Sequence, residues 1–207
     1  YGGVVERRDR TTHRFGVGDG LRVQLTEGLR AKASYEWATR LPTPDEAFGD
    51  GAFVVPNLAL DPEESHNGNV TLDGETDAGR FGQLTASVGG FARATSNLIV
   101  LLGDEQVQRY ENVLSARALG VQSTLRWTAP GSYAVLEAGA TYQDVRNASG
   151  DGTFGAFEGD RIPNQPYLFA NLAARLQLRG LFTAKDELAP YWYGRYVHSY
   201  YRGWESI

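Results

Sequence analysis

The side chains that most often carry out chemistry are few and scattered in this sequence. Its three histidines, His13, His66 and His198, lie far apart, form no H-x-x-x-H pair and have no cysteine to assist them, so the sequence predicts no zinc site. Serines and acidic residues are present, but no nucleophile elbow and no local acid–base pair accompanies them. We therefore expect a protein that is not an enzyme and that needs no metal ion and no cofactor.

Three short segments share the composition of ligand loops but not their context. Gly16–Gly20 has the glycine content of a phosphate loop, yet a dinucleotide site needs a strand before it and a helix after it. Alternating polarity continues on both sides, which predicts a bulged or curved strand. Asn147–Gly152 and Asp50–Gly51 offer oxygen ligands without the spacing of a calcium loop. We expect flexible loop tips there.

An aromatic cluster lies near the end of the sequence. Tyrosine and tryptophan favour places where one end of the side chain is apolar and the other is wet. Two interpretations stay open: a girdle at a membrane interface continued by a loop, or a surface on which sugars stack. The cluster comprises Tyr191, Trp192, Tyr193, Tyr196, Tyr200, Tyr201 and Trp204.

Every second residue is apolar along much of the chain. In Leu29–Trp37, apolar residues alternate with Arg30, Lys32, Ser34 and Glu36; a strand separates the two sets onto opposite faces, whereas a helix would mix them. Two weaker strands are expected near Asn67–Gly74 and Leu188–Tyr201, which makes about eight strands with no convincing helix. The same alternation recurs in Phe15–Leu25, Leu84–Val88, Leu119–Trp127, Leu136–Tyr142 and Leu168–Leu178.

The expected connections alternate between short and long. Outer-membrane barrels have short turns on the periplasmic side and long loops outside the cell. Tyr35, Trp37 and Tyr142 fall on the apolar side near long connections, and Trp127 falls beside a short turn, as two interfacial girdles would require. The short turns are Thr26–Gly28, Thr76–Gly79, Ala129–Ser132 and Gly180–Asp186; the long connections are Arg40–Glu63, Ser96–Asn112 and Val145–Gln165.

Composition narrows the class of protein further. The 207 residues carry a net charge of −5 without a basic stripe, so we do not expect a nucleic-acid partner. No run of about 18 apolar residues is present, so no transmembrane helix is expected. The chain begins at Tyr1 and contains no methionine, which favours a fragment of a longer gene product.

Four motifs occur around the expected long loops. They are R-L-P-T-P-D-E-A-F-G at Arg40–Gly49, L-D-P-E-E-S-H-N at Leu60–Asn67, Y-E-N followed by A-R-A-L-G-V at Tyr110–Val121, and I-P-N-Q-P at Ile162–Pro166. Together and in this order they resemble motifs of TonB-dependent outer-membrane receptors. Gln122 stands where that family usually has glutamate. The resemblance extends from about His13 to Trp204.

The resemblance implies a barrel of about twenty-two strands with a plugged lumen. Residues 1–207 would be one part of that all-β, antiparallel, up-and-down transmembrane barrel, with the plug domain and the closing strands outside this sequence. The whole protein would lie in the cell outer membrane of a Gram-negative bacterium, in contact with its lipid. It would import a scarce nutrient, such as an iron–siderophore, cobalamin or an oligosaccharide, and its plug would engage the TonB complex.

Roles for individual residues follow from their chemistry and, for the ligand and lumen candidates, from the resemblance. Prolines mark places where strand pairing stops, Glu46 and Glu63 would bind loop backbone N–H groups, and Gly120 would allow close approach within the wall. Candidates for ligand contact in the outward loops are Arg40, Asp45, Glu46, Phe53, Arg109, Tyr110, Phe154, Phe157 and Arg161. Candidates for facing the lumen or the plug are Arg30, Lys32, Glu36, Gln122, Arg126, Glu137, Gln143 and Arg175.

Two alternatives remain at this stage. A passive porin or adhesin would have the same wall without a plug. A soluble β-sandwich, serving as a binding module or a hydrolase, would bury its apolar faces against each other instead of against lipid.

Overall fold

A computed structural model describes residues 15–103, 107–150, 152, 154–183 and 185–205. His13 and Asp151, which belong to segments discussed above, lie outside the described residues. Eleven strands, one short α-helix and three 3-10 turns are present in the described part of the chain. The strands are β1 (Val17–Thr26), β2 (Leu29–Arg40), β3 (Val54–Val55), β4 (Glu63–Asp77), β5 (Gln83–Gly103), β6 (Gln108–Thr128), β7 (Ala134–Asn147), β8 (Leu168–Leu176), β9 (Leu178–Arg179), β10 (Glu187–Leu188) and β11 (Tyr191–Val197); the helix is α1 (Pro44–Phe48) and the 3-10 turns are Gly79–Phe81, Pro130–Ser132 and Gly155–Phe157.

One main sheet contains nine of these strands. Its order is β1-β2-β4-β5-β6-β7-β8-β11, each strand antiparallel to the next, and β3 pairs in parallel with β6. The expected all-β, antiparallel, up-and-down architecture with about eight main strands is confirmed. In the described residues the edge strands β1 and β11 do not pair with each other, so the sheet is open. Strands β9 and β10 form a separate hairpin.

Strand register separates two chemically different faces. One row across the sheet runs Leu21, Ala33, Val70, Gly90, Val121 and Tyr142, each directly opposite the next. The neighbouring row runs Arg22, Lys32, Thr71, Gly89, Gln122 and Thr141. We call the first the apolar face and the second the polar face. Large side chains of the apolar face are exposed, and no second sheet in the described residues covers them.

The Ser96–Asn112 connection was wrongly expected to be a long loop. β5 continues to Gly103 and β6 begins at Gln108, so these residues form a hairpin. The last pair between β4 and β5 joins Glu64 to Ser96, and the last pair between β6 and β7 joins Ala116 to Asn147. The outer part of the hairpin therefore extends beyond its neighbours. We call residues 97–103 and 108–115 the projecting hairpin.

Two further expectations need correction. The sequence was expected to contain no helix, yet α1 forms in the Arg40–Glu63 connection. The sequence predicts a flexible tip that includes Asn147 and Ser149, yet both residues are about 1% exposed. Among the helices of the described residues, none has the length and apolar character that crossing a membrane requires; this finding concerns helices alone.

Candidate functional site

Arg40 joins the two ends of the first long loop. It is the last residue of β2 and lies directly opposite Glu63, the first residue of β4. Its Nε donates to Oε2 of Glu63 at 2.7 Å and its Nη2 donates to Oε1 at 2.6 Å. Its Nη1 donates to Oε2 of Glu46 in α1 at 2.8 Å. One guanidinium thus fixes both strand ends and the helix, in the bidentate geometry that favours arginine.

The helix itself begins in a capping box. The N–H of Glu46 donates to Oγ1 of Thr43, and the N–H of Thr43 donates to Oε2 of Glu46 at 2.8 Å. Proline at the first helical position, Pro44, has its backbone angle already fixed for a helix. Partial burial opposes the charged form, but hydrogen bonds from Arg40 and Thr43 leave the pKa of Glu46 below its ordinary value.

The expected backbone-binding role of the two glutamates is confirmed. Glu46 accepts from Thr43, and Oε1 of Glu63 accepts from the N–H of Ile99 in β5 at 2.7 Å. Glu63 is buried, and an ionised carboxylate out of water needs such donors. The Glu46 contact stays within the first long loop, whereas the Glu63 contact anchors the end of that loop to the base of the projecting hairpin.

Two asparagines attach the same loop to β6. Nδ2 of Asn57 donates to the carbonyl of Tyr110 at 2.8 Å. Asn112 accepts from the N–H of Asp61 at 2.9 Å and donates to its carbonyl at 3.0 Å. Sequence reasoning gave neither side chain this role, although Asn112 belongs to the Y-x-N motif. β3, paired with Gln108 and Arg109, completes the attachment.

Asp50 organises the tip between α1 and β3. Its Oδ1 accepts from the N–H groups of Ala52, Phe53 and Val54, at 2.8, 2.9 and 2.8 Å. The backbone hydrogen bonds from Val54 and Ala52 lower the pKa of Asp50, because they stabilise the carboxylate form. Oδ1 of Asp50, an oxygen that could have bound calcium, therefore accepts hydrogen bonds from its own loop instead.

The loop after β7 is fixed by a second ionic cluster. Asp144 accepts from Nε of Arg146 at 2.6 Å and from Nε of Arg161 at 2.8 Å. Glu205 lies 3.7 Å from Nη1 of Arg146. The guanidinium of Arg161 also lies over the ring of Tyr167, 4.7 Å from its centroid. These contacts connect the β7 end, the loop and the segment after β11.

Aromatic contacts also hold the segment after β11. The ring of Trp204 stacks on Phe157 with centroids 4.7 Å apart and planes 3° from parallel, and Phe154 lies 5.9 Å from Trp204. Phe154 is buried. No periodic signal in the sequence could have linked residues so far apart along the chain.

The nine residues expected to contact ligand fall into two groups. Arg40, Glu46, Phe154, Phe157 and Arg161 are engaged in the contacts described above. Asp45, Phe53 and Arg109 are exposed, Phe53 by 62%, while Tyr110 is partly exposed and its carbonyl binds Asn57. The second group lies on or beside α1, β3 and the projecting hairpin, and its side chains take part in none of the loop contacts described above.

All eight residues expected to face a lumen share the polar face. The register aligns Arg30, Lys32, Glu36, Gln122, Arg126, Glu137, Gln143 and Arg175 on that side of the sheet. Lys32 lies 2.6 Å from Asp73, Arg126 lies 2.6 Å from Glu137, and Arg30 lies 3.5 Å from Glu75. Gln143 donates to the carbonyl of Pro166 at 2.9 Å. All the charged members except Glu36 lie nearer to the short turns.

Gly120 lies on the polar face beneath an aromatic ring. A Cβ at this position would approach Cζ of Phe91 to 2.2 Å and the carbonyl oxygen of Tyr142 to 2.7 Å. Phe91 is directly opposite Gly120. The expected close approach is therefore confirmed, and its partner is the Phe91 ring.

The site offers no cluster for metal binding in the part of the chain that the structure describes: no three histidine, aspartate or glutamate side chains there are grouped to hold an ion. The charged groups of the described residues serve two regions: the polar face, and the end of the sheet that carries the long loops, which we call the rim. Guanidinium and carboxylate groups hold the loops at one end of the sheet, and surface ion pairs lie on the polar face.

Comparisons with known proteins agree with this geometry. The family model described as "TonB dependent receptor-like, beta-barrel" matches residues 2–205. Among curated proteins, no sequence matches the chain. Among solved structures the chain is similar to the copper transporter OprC, with 18% identity, a TM-score of 0.57, and coverage of 77% of this chain and 23% of that one.

Two further structures are similar at the level of fold. The siderophore receptor PirA from Pseudomonas aeruginosa has 17% identity and a TM-score of 0.54, over 88% of this chain and 31% of that one. The FrpB iron transporter from Neisseria meningitidis has 14% identity and a TM-score of 0.55, over 88% and 26%. This chain spans less than a third of each of the three proteins.

Proposed function

The chain belongs to the TonB-dependent receptor family, within its β-barrel domain, and on that premise we propose that it is part of the wall of a receptor that imports a scarce nutrient. This family is located in the outer membrane, and the chain is an outer-membrane protein. Its role in the proposal is that of a transporter and receptor, not of an enzyme.

The separation of the two faces carries the proposal. Leu119, Val121 and Leu125 expose apolar side chains on one side of β6, whereas Gln122 and Arg126 expose polar ones on the other. A membrane wall needs such a pattern, because acyl chains cover one side and an aqueous or protein-filled lumen covers the other. A soluble β-sandwich would bury the first side, which is exposed here.

The polar face then serves as the contact surface for a plug and as the lining of the path. Surface ion pairs such as Arg126–Glu137 contribute only about 0–1 kcal/mol each, so a plug can exchange them for its own contacts at small cost. In this proposal the plug lies in a part of the protein outside residues 1–207, and the TonB complex acts on the barrel through it.

Ligand would bind first at the rim. Phe53 and Arg109 are exposed beside loops that Arg40 and Asn57 hold in place. Binding to a pre-organised loop avoids part of the ordering cost of association. The substrate class is a scarce nutrient such as an iron–siderophore, cobalamin or an oligosaccharide, and no chemical step on it is required.

The experiment compares uptake with and without TonB. A Gram-negative strain deleted for the full-length gene is complemented with it, and radiolabelled ferric siderophore, cobalamin and a maltooligosaccharide are each offered at nanomolar concentration. We expect gene-dependent uptake of one of these probes, abolished when TonB is absent. Uptake that depends on the gene and persists without TonB would replace this proposal with a passive porin. No gene-dependent uptake of any probe would contradict it.

A further inference from the structure

Arginines form a row at the loop end of the apolar face. Arg117 in β6 lies directly opposite Arg146 in β7, and the backbone of Arg146 forms an isolated antiparallel β-bridge with that of Arg161. The pair Val121 and Tyr142 lies on the same face, four residues from Arg117 and Arg146 in the direction of the short turns. Like charges directly opposite each other on neighbouring strands are destabilising, so the row favours binding of anions.

The described residues neutralise only part of this row. Asp144 accepts hydrogen bonds from Arg146 and Arg161, and Glu205 lies 3.7 Å from Arg146. Two carboxylates thus face three guanidinium groups. Arg117 is exposed, and within the described residues it has no hydrogen-bond or ion-pair partner.

Arg146 also retains N–H groups that can donate a hydrogen bond. Its Nε binds Asp144 and its Nη1 binds the carbonyl of Gly159 at 2.8 Å. In the described part of the chain Nη2 has no such partner. Arg117 and Arg146 together therefore present unused, directional N–H groups that match the oxygens of a phosphate.

The height of Arg117 on the wall identifies where that phosphate comes from. Trp127, beside a short turn, and Arg117 are ten residues apart in β6, about 33 Å along a strand. With the usual strand tilt this separation is roughly 25 Å along the membrane normal, the height of the apolar band of such barrels. Leu125, Val121 and Leu119 occupy the interval and are exposed. Arg117 therefore stands where acyl chains end and headgroups begin.

We propose that Arg117 and Arg146 bind the phosphate of a lipid headgroup in the outer leaflet of the membrane. The proposal rests on the proposed function for its orientation, in which the long loops face outward. The site lies on the side of the wall away from the lumen, so it is separate from the path of the nutrient. Its effect is to anchor the wall to phosphorylated lipid at one height.

The test uses the full-length protein, purified in a non-ionic detergent and titrated with fluorescent diphosphoryl lipid A. A cation near a lipid surface contributes about 1 kcal/mol, so we expect Arg117→Gln to weaken binding roughly fivefold. Arg117→Lys keeps the charge and is expected to recover most of the affinity. Lipid A freed of its phosphates is expected to bind wild type and variants equally weakly.

Arg93→Gln is the matched control. Arg93 lies opposite Ala118, one residue from Arg117 in height but on the other face of the sheet, where its guanidinium covers Phe91 at 5.1 Å. We expect wild-type affinity from this variant. Equal losses for Arg93→Gln and Arg117→Gln, or no loss for Arg117→Gln, would overturn the proposal.

Two added measurements separate the remaining explanations. Displacement of the lipid by millimolar inorganic phosphate would assign the site to a soluble anion and overturn the lipid assignment; persistence of the lipid supports it. Heat-dependent mobility on gels, unchanged between variants, shows that each is folded. The lipid titration does not depend on uptake, so a protein that fails the TonB-dependent uptake assay can still be tested for lipid binding. Failure of one proposal is therefore distinguishable from failure of the other.

Discussion

The two faces of β6 differ in chemistry although both are open to solvent in the described chain. Val121 and Leu125 are about half exposed and lie opposite apolar or small residues of the neighbouring strands. Gln122 and Arg126, one position further along β6, lie opposite mostly polar residues, and Arg126 forms an ion pair with Glu137. A soluble protein would hide the first row. In the described residues no second sheet covers the exposed apolar row, and a wall between two environments requires such a difference between its faces.

The largest expected effect comes from placing a charge on the apolar face. In the full-length protein, Val121→Arg puts a guanidinium near the middle of the apolar band, which costs about 2–4 kcal/mol. Urea unfolding in phospholipid bilayers measures it. Gln122→Arg is the matched control on the polar face and is expected to change stability by less than about 1 kcal/mol. Equal effects at both positions would remove the distinction between the faces.

The next effect concerns the first long loop, whose two ends are held together by the ion pair of Arg40 with Glu63. Arg40→Ala leaves buried Glu63 without its cation, and we expect about 2–3 kcal/mol of lost protection in the first long loop. Amide hydrogen exchange of residues 41–62 reports it, while the exchange of β6 should change little. Arg109→Ala, at an exposed arginine nearby, is the control; unchanged loop protection in Arg40→Ala would contradict the anchoring role.

A smaller effect on stability is expected at Gly120 on the polar face. Gly120→Ala directs a methyl group into the Phe91 ring and towards the carbonyl of Tyr142, and overpacking of this kind costs about 1–3 kcal/mol. Gly90→Ala, whose Cβ would meet only the carbonyl oxygen of Gly120 at 3.8 Å, is the control. Adding Phe91→Ala should recover part of the loss. Denaturant unfolding of wild type, Gly120→Ala, Phe91→Ala and the double variant gives the coupling, and strict additivity would argue against the ring contact.

The smallest effect is a dependence on pH at α1. The folded-state pKa of Glu46 is lowered, so its contribution is present above the unfolded value of about 4.3 and is lost as the pH falls through the folded value. The expected size is about 1 kcal/mol or less, comparable with a helix cap. Amide exchange of Thr43–Phe48 measured from pH 6 to pH 3 tests it. Glu46→Gln should make the exchange protection of α1 independent of pH in this range. A pH profile identical to that of wild type would show that Glu46 is not the group that titrates.

Much of the sheet could be predicted because its signal is local. Side chains that alternate every two residues fix the faces of a strand, and Leu29–Trp37 was long enough to do so unambiguously. The rows through Val121 and Gln122 then follow from pairing consecutive strands. α1 also had a local signal, since Thr43 and Glu46 have the spacing of a capping box, but its five residues are too short to show periodicity.

The projecting hairpin could not be predicted in the same way. Leu98–Leu102 is continuously apolar instead of alternating; Ile99 within it is buried, and its N–H binds Glu63. The stack of Phe157 on Trp204 and the cover of Gly120 by Phe91 likewise join residues distant in sequence. Such contacts arise from tertiary packing, which propensity and period do not contain.

The most direct test of the two-faced wall is a bilayer-confined quencher. The 207 residues contain no cysteine, so Leu125→Cys and Thr124→Cys, neighbours on opposite faces of β6, can each carry one fluorophore in the full-length protein cleared of any other cysteine. In bilayers with nitroxide-labelled acyl chains, we expect strong quenching at position 125 and weak quenching at position 124. Equal quenching at both positions, or stronger quenching at 124, would contradict the assignment of the apolar face to lipid.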